Sequence, residues 1–328
     1  MKPKLLKILK FFVFLSIGCF LFWLVYRGQD IKRIKSILEH GVDYRWVWVS
    51  LFLGIFSHIS RTVRWSLMIE PLGKKPRMLN VFLSVMVGYL MNLVIPRMGE
   101  LSRCGVLARY EKMSFTKLLG TVVTERIIDV IMLLILTFIV VVSQFGKIIQ
   151  FLKNNPDILA KADHILFSPT LIIVFVFIFV LVVIFRKNIL KSAFFAKLKK
   201  FITNFAEGLK SINKMENKGW FIFHSVFIWL MYYLMLYVVF FSFSFTSHLS
   251  PIAGLTTFVL GSYGMVAPVQ GGIGAWHFMV TQSLMVYGVA KSNGLIFAFL
   301  AFTSMTALMV VMGLISFLVL PFVNKRNQ

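Results

Sequence analysis

The chain has 328 residues, 59% of them hydrophobic and 14% charged, with a formal net charge of +23. Soluble domains carry about a quarter of their residues charged, so this composition excludes a soluble globular protein and indicates a chain lying in or beside lipid. The basic excess does not indicate nucleic acid as a partner, because it flanks apolar runs, where it sets topology and contacts anionic lipid.

In chain order, Lys2, Lys4, Lys7 and Lys10 lead into an apolar stretch over residues 8–26. No small-residue cleavage site follows, so this stretch reads as a retained first span. Further full spans are predicted at 46–68, 118–143, 165–185, 220–245 and 295–320, each near the roughly 20 residues a helix needs to cross a bilayer. Two other apolar segments break. Residues 79–95 run into Asn92-Leu-Val-Ile-Pro96-Arg97-Met-Gly99-Glu100-Leu-Ser-Arg103, and residues 252–267 run into Pro268-Val-Gln270-Gly271-Gly272-Ile-Gly274. Proline removes a helix donor, and glycine admits close backbone approach. Broken backbone at membrane depth survives only where protein or a water-filled cavity surrounds it.

Charge decides how the broken segments are threaded. If both arms of each crossed the bilayer, the loop 186–218, with nine lysines and arginines against Glu207 and Glu216, would face outside. Re-entrant hairpins restore the positive-inside pattern. They put both termini, the Lys74–Arg77 loop, the Arg109–Lys117 segment and loop 186–218 in the cytoplasm. Loops 144–164 and 246–251 then lie outside. So does loop 27–45, which resists the rule with five basic residues against three acidic ones. The order span, span, hairpin, span then recurs from the opposite face. The predicted fold is therefore one all-α membrane domain over residues 1–328, with about six transmembrane helices plus two opposed re-entrant broken hairpins in an inverted repeat, the pseudo-repeats covering about 1–143 and 165–320.

Charges inside a membrane each cost roughly 2.5–3.5 kcal/mol on insertion scales, so they need a reason. Arg61 and Arg64 end the second span beside Trp65, which is expected at interfacial depth; Arg97, Glu100 and Arg103 sit at the first break; Glu125, Arg126 and Asp129 lie roughly 12–18 Å into their helix. Glu125 and Asp129 share a helix face, with Arg126 in reach of Asp129 at i+3. The break and the Glu125 cluster cancel in charge, so Arg61 and Arg64 leave a surplus of two positives. Guanidinium forks match phosphate oxygens, so these residues, with Asn92, Pro96, Gly99, Pro268, Gln270, Gly271, Gly272, Gly274 and His277, form the candidate substrate site for an anionic headgroup.

Blander readings stand beside each of these. Arg61 and Arg64 could snorkel to the interface. The Glu125 cluster could be a structural lock, the second break only a kink, and His277 a bonded core histidine rather than a proton relay. No zinc, nucleotide-loop or serine-nucleophile motif occurs, and the second glycine-rich break lacks the Lys-Ser/Thr that a nucleotide loop needs. His58, His224 and His277 lie in different segments, and Cys19 and Cys104 support neither a disulfide framework nor a thiolate metal site. No catalysis, cofactor or metal is called for. Movement of a substrate would be downhill or ion-coupled, with Glu100, Glu125, Asp129 and His277 as candidate coupling groups.

Arg61-x-x-Arg64-Trp65, Asn92-x-x-x-Pro96-Arg97-x-Gly99-Glu100-x-x-Arg103, Glu125-Arg126-x-x-Asp129 and Pro268-x-x-Gly271-Gly272-Ile273-Gly274 occur in that order. The set resembles the flippase-like membrane domain of lysylphosphatidylglycerol synthases and its stand-alone bacterial and archaeal relatives, over nearly the whole chain. The resemblance implies a bacterial inner-membrane protein that moves a lipid between leaflets. In the fused synthases this domain carries aminoacylated phosphatidylglycerol outward. Here the sequence ends at Gln328, just after the last span, so lysine transfer by this chain is not expected and a lipid-modifying synthase would be a separate partner. Position 277 is His where the family usually shows Glu. The expected function is translocation of an anionic or aminoacylated phospholipid, or of a lipid-linked carrier. The alternatives are a small-solute secondary transporter with an enclosed cavity, a membrane enzyme using Glu100 or Asp129 as general base, and a scaffolding protein.

Overall fold

The computed structural model describes residues 16–28, 30–95, 97–154, 216–267 and 269–325. The predicted span 165–185, most of loop 186–218, the start of the first span, and Pro96 and Pro268 lie outside the described residues. The described elements are helices α1 (Ser16–Tyr26), α2 (Ile31–His40), α3 (Tyr44–Ile69), α4 (Met78–Val94), α5 (Met98–Glu111), α6 (Phe115–Asn154), α7 (Lys218–Val239), α8 (Pro251–Val266), α9 (Ala275–Val286) and α10 (Lys291–Val323). There is no strand among the described residues. The chain falls into two units, Met1–Val140 with Met215–Gln328, and Val141–Lys214. The candidate site lies within the first.

The fold is that of an all-α membrane protein. Helices over Tyr44–Leu72, Phe115–Gly146, Lys218–Ser242 and Lys291–Val323 are long and apolar enough to cross a bilayer. Their large exposed side chains, such as Trp48, Phe52, Phe138 and Phe317, are the surface that lipid covers. The two broken segments are helical hairpins. α4 has 17 residues and α8 has 16, about 25 Å at the helical rise, short of the ~30 Å hydrocarbon core. Each is followed by a break and a partner helix packed back against it, α5 on α4 and α9 on α8.

Small residues allow both hairpins to close. A Cβ on Gly99 would overlap the Gly88 carbonyl oxygen and the Asn92 amide, so α4 and α5 meet there backbone to backbone. The Asn92 side-chain oxygen Oδ1 accepts from the Gly99 N–H at 2.7 Å. In the second hairpin Gly264 lies against the Ala275–Trp276 backbone, and hydroxyls bridge the arms: Thr257 with Ser283 at 2.9 Å, and Tyr287 donating to Thr256 at 2.8 Å. α10 packs on both hairpins, bringing Gly313 to Leu90 of α4 and Gly294 to Thr281 of α9. Where α4 begins and α5 and α10 end, Asn80 and Asn324 exchange amide hydrogen bonds of 2.9 and 3.0 Å while Asn80 also donates to Glu111 at 2.6 Å.

Two expectations change. The loop 27–45 contains a helix, α2, capped by Asp30 and turning Ile34, Ile37 and Leu38 onto the core around α8–α10. Its cations lie on the other face, which is how an interfacial amphipathic helix is built. The helix predicted at 118–143 continues to Asn154, where an outside loop was expected. The first proline downstream is Pro156, so no proline interrupts the helix earlier.

Candidate functional site

α6 supplies the acidic centre. Glu125 and Asp129 stand one turn apart on a single face, and α3 presents Arg61 and Arg64 to that face, also within one turn of each other. Arg61 Nη2 lies 2.8 Å from Glu125 and 3.0 Å from Asp129; Arg64 Nη2 lies 2.9 and 2.8 Å from the same two carboxylates. α5 adds Arg103, whose Nη2 meets the other Glu125 oxygen at 2.5 Å and whose guanidinium lies 4.7 Å from the Trp65 ring centroid. Glu125 therefore serves three arginines and is fully buried. At the margin Arg126 pairs with Glu100 at 3.4 Å and with Asp129 at 3.6 Å. The second Arg61 nitrogen donates to Tyr89 and Tyr232, at 3.1 and 3.2 Å.

Arg61 and Arg64 do not snorkel: they are 5% and 0% exposed. Trp65 does not face lipid either. It is completely buried, and its indole N–H donates to Thr121 at 2.9 Å. The helix face that looked interfacial is turned inward because a carboxylate pair waits opposite it. The surplus of positive charge is thereby relocated. Four guanidinium groups against Glu100, Glu125 and Asp129 leave one positive charge in the network, and Arg97 is the second. Arg97 is exposed at the break in a left-handed conformation (φ 61°) and makes no ion pair among the described residues. A non-glycine residue held there is strained, a condition that recurs at ligand sites.

A narrow cleft of about 10 Å³, room for about one water, opens beside this network. It is lined by Arg61, Val85, Gly88, Tyr89, Asn92, Gly99, Glu100, Arg103 and Arg126, so three of the four networked arginines border it. The first hairpin forms one wall, with the Gly88–Gly99 crossing at its base.

The second break reaches the first at one point. Gln270, itself buried, donates its side-chain amide to the Val94 carbonyl at 2.8 Å, and a Cβ on Gly271 would lie 3.0 Å from Leu93. Val94 is in the last turn of α4, where carbonyls have no helical partner. The other two glycines serve different neighbours. Gly272 faces Met265 of its own hairpin, and Gly274 lies against the Leu21–Phe22 backbone of α1, both with positive φ. His277 is buried among Phe22, Tyr26, Trp276 and Phe302, and its Nδ1 accepts from the Gly274 N–H at 3.3 Å. It does not border the cleft. The structure thus gathers Arg61, Arg64, Asn92, Gly99, Glu100, Arg103, Glu125, Arg126 and Asp129, with Arg97, Gln270 and Gly271 at the adjoining break. Gly272, Gly274 and His277 shape the second hairpin. Pro96 and Pro268 lie outside the described residues. Tyr89 and Tyr232, absent from the sequence-based set, complete the Arg61 environment.

Among proteins of known family, the family model described as "Lysylphosphatidylglycerol synthase TM region" matches residues 8–320. The chain is 26% identical over 307 residues to UPF0104 membrane protein MJ1595 of Methanocaldococcus jannaschii, covering 89% of this chain and 87% of that one. No solved structure matches.

Proposed function

We propose, from the premise that this chain belongs to the lysylphosphatidylglycerol synthase transmembrane-region family, that it translocates a phospholipid or lipid-linked carrier between the leaflets of a bacterial inner membrane, with both termini in the cytoplasm. Membership of that family makes it a multi-pass membrane protein related to lipid handling. The observation that carries the finer reading is the cleft at the first break. Buried guanidinium groups border it together with the 43%-exposed Arg126 side chain, and Arg97 is exposed at the adjoining break. A headgroup can reach those two while its acyl chains stay in lipid. Arg61, Arg64 and Arg103 hold the wall behind them, tied down by Glu125 and Asp129.

The test is reconstitution of the whole chain in liposomes that carry phosphatidylglycerol with a fluorescent tail. Dithionite quenches the outer leaflet, and continued loss of the inner-leaflet signal reports translocation. Translocation above protein-free liposomes, reduced by Arg97→Ala and by Arg126→Ala, supports the reading. New lipid species by mass spectrometry would make the protein an enzyme on a lipid-linked substrate. Uptake of a small solute without lipid exchange would make it a solute transporter.

A further inference from the structure

We propose that the end of the bundle covered by α2 is a docking surface for the anionic lipid headgroups of one leaflet, the outer one on the proposed orientation, and that it gathers lipid at the mouth of the uncharged second hairpin. The docking surface is separate from the cleft at the first break, and the use made of it rests on the translocation reading. Two independent observations lead to it.

The first is an uncompensated charge. Hydrogen bonds draw the ends of α1, α3 and α10 to α2. Tyr26 donates to the Leu295 carbonyl at 3.0 Å, Arg33 to the Asn293 side chain at 3.1 Å, and Tyr44 to the Leu38 carbonyl at 2.7 Å. The cluster so formed exposes Arg27, Lys32, Arg33, Lys35, Arg45 and Lys291 against Asp30, Glu39 and Asp43, six basic residues against three acidic ones, a net charge of +3. The acids do little to offset it. Asp30 accepts from the N–H groups of Lys32 and Arg33, and Asp43 from that of Arg45, so both carboxylates are turned to helix starts. Glu39 meets Lys35 at 3.7 Å with both side chains more than half exposed, and such pairs contribute little. Residues 243–250, tied to this end by the Asp43 N–H on the Ser242 carbonyl, and residues 287–290 contain no Asp or Glu. On the proposed orientation this surface lies on the side that topology keeps poor in lysine and arginine, so its charge needs a use.

The second is depth. Trp23, Tyr44, Trp46 and Trp48 flank the same cations and are 55, 44, 37 and 70% exposed. Exposed tryptophan and tyrosine at the ends of spans gather at headgroup level. The Arg27 guanidinium lies 5.4 Å from the Trp23 ring centroid, so the cations and the aromatic belt meet in one place. α2 packs Ile34, Ile37 and Leu38 on the core around α8–α10 and leaves Lys32 and Lys35 exposed. The second hairpin beneath it has no Asp, Glu, Lys or Arg from 251 to 286. The first hairpin carries its own arginines toward a headgroup; the second carries none, and α2 supplies the attracting field at its mouth. Each cation near an anionic membrane surface strengthens that attraction, and salt screens it.

The experiment places a fluorophore on Ser36→Cys, an exposed position of α2, in the full chain carrying Cys19→Ser; Cys104 is buried. The chain is reconstituted in phosphatidylcholine vesicles that hold an equal small fraction of phosphatidylglycerol, phosphatidylserine or phosphatidylcholine spin-labelled high on one tail. The two anionic lipids should each quench at least about threefold more strongly than phosphatidylcholine. The excess should vanish at about 1 M salt, where the Debye length is about 3 Å. Lys32→Glu combined with Lys35→Glu, both at exposed positions, should abolish it as well. Equal quenching by the three lipids, or an excess that survives the double substitution, overturns the proposal. An excess for phosphatidylglycerol without one for phosphatidylserine also overturns it, since one headgroup and not charge would then be recognised. Quenching needs no transport, so it judges the docking surface even where no lipid crosses and the translocation reading fails. Where lipid does cross, the double variant should slow phosphatidylglycerol translocation at least about threefold; an unchanged rate overturns the gathering role.

Discussion

At the scale of single residues, the arginines divide by what they touch. Glu125 is the group on which the division turns, because three buried guanidinium groups converge on it. Removing one partner of a buried ion pair costs about 3–5 kcal/mol in soluble proteins, chiefly because the remaining charge is left uncompensated. Glu125→Ala is therefore expected to lower folded abundance and melting temperature before any transport defect can be read; a variant that purifies with wild-type stability would show that the network is not a structural clamp. Arg97 should behave in the opposite way. Glycine adopts its left-handed backbone at little cost, so Arg97→Gly should leave melting temperature unchanged or higher while translocation falls. The sequence showed the Glu125–Asp129 face and its Arg126 neighbour because those relations are local and helical. It could not show that Arg61 and Arg64 are the partners of that face. The two pairs are more than 60 residues apart in the chain, and an arginine ending an apolar run looks the same whether it snorkels or is clamped. Tyr89, Tyr232, Asn80 and Asn324 were hidden for the same reason, since each is polar only toward a partner on another element.

At the scale of elements, the hairpins were legible from proline and glycine, which interrupt apolar runs too short to cross and return fully extended. Which glycine meets which neighbour was not, because close approach depends on the rotation of each helix. Gly99 is the tightest of these contacts on the charged side. Gly99→Val should prise α5 from α4, widening the cleft and separating Arg103 from Glu125; loss of thermal stability together with translocation is expected, and a silent substitution would mean the crossing is not required. The breaks themselves can be tied. Leu93→Cys with Gly271→Cys, bridged by a short bifunctional thiol reagent, should crosslink in membranes and arrest translocation until the bridge is cleaved. Absence of crosslinking in a chain that still translocates would show that the hairpins do not meet in the working protein. The helix α2 was missed because its apolar positions are few and its cations dominate any count over residues 27–45. Its capping Asp30 and the 34–37–38 spacing are the signals that identify it.

At the scale of the whole molecule, orientation follows from the distribution of lysine and arginine. On the proposed orientation, which places the termini in the cytoplasm, a cysteine at Lys75 should resist an impermeant thiol reagent added outside intact cells and one at Ser247 should react; the reverse pattern would invert the assignment of sides. The two hairpins are alike in shape and unlike in electricity. The first carries Arg97, Glu100 and Arg103 and borders the buried network, whereas the second contains no ionised side chain from 251 to 286. A displacement of the first hairpin across the bilayer would move charge through the transmembrane field, at about 2.3 kcal/mol per elementary charge per 100 mV, and a displacement of the second would move none of its own. The membrane potential thus becomes a label for motion. A rate that responds steeply to an imposed potiential in sealed vesicles identifies the charged hairpin as the moving part, and a rate indifferent to it, measured with a headgroup of no net charge, identifies the neutral one.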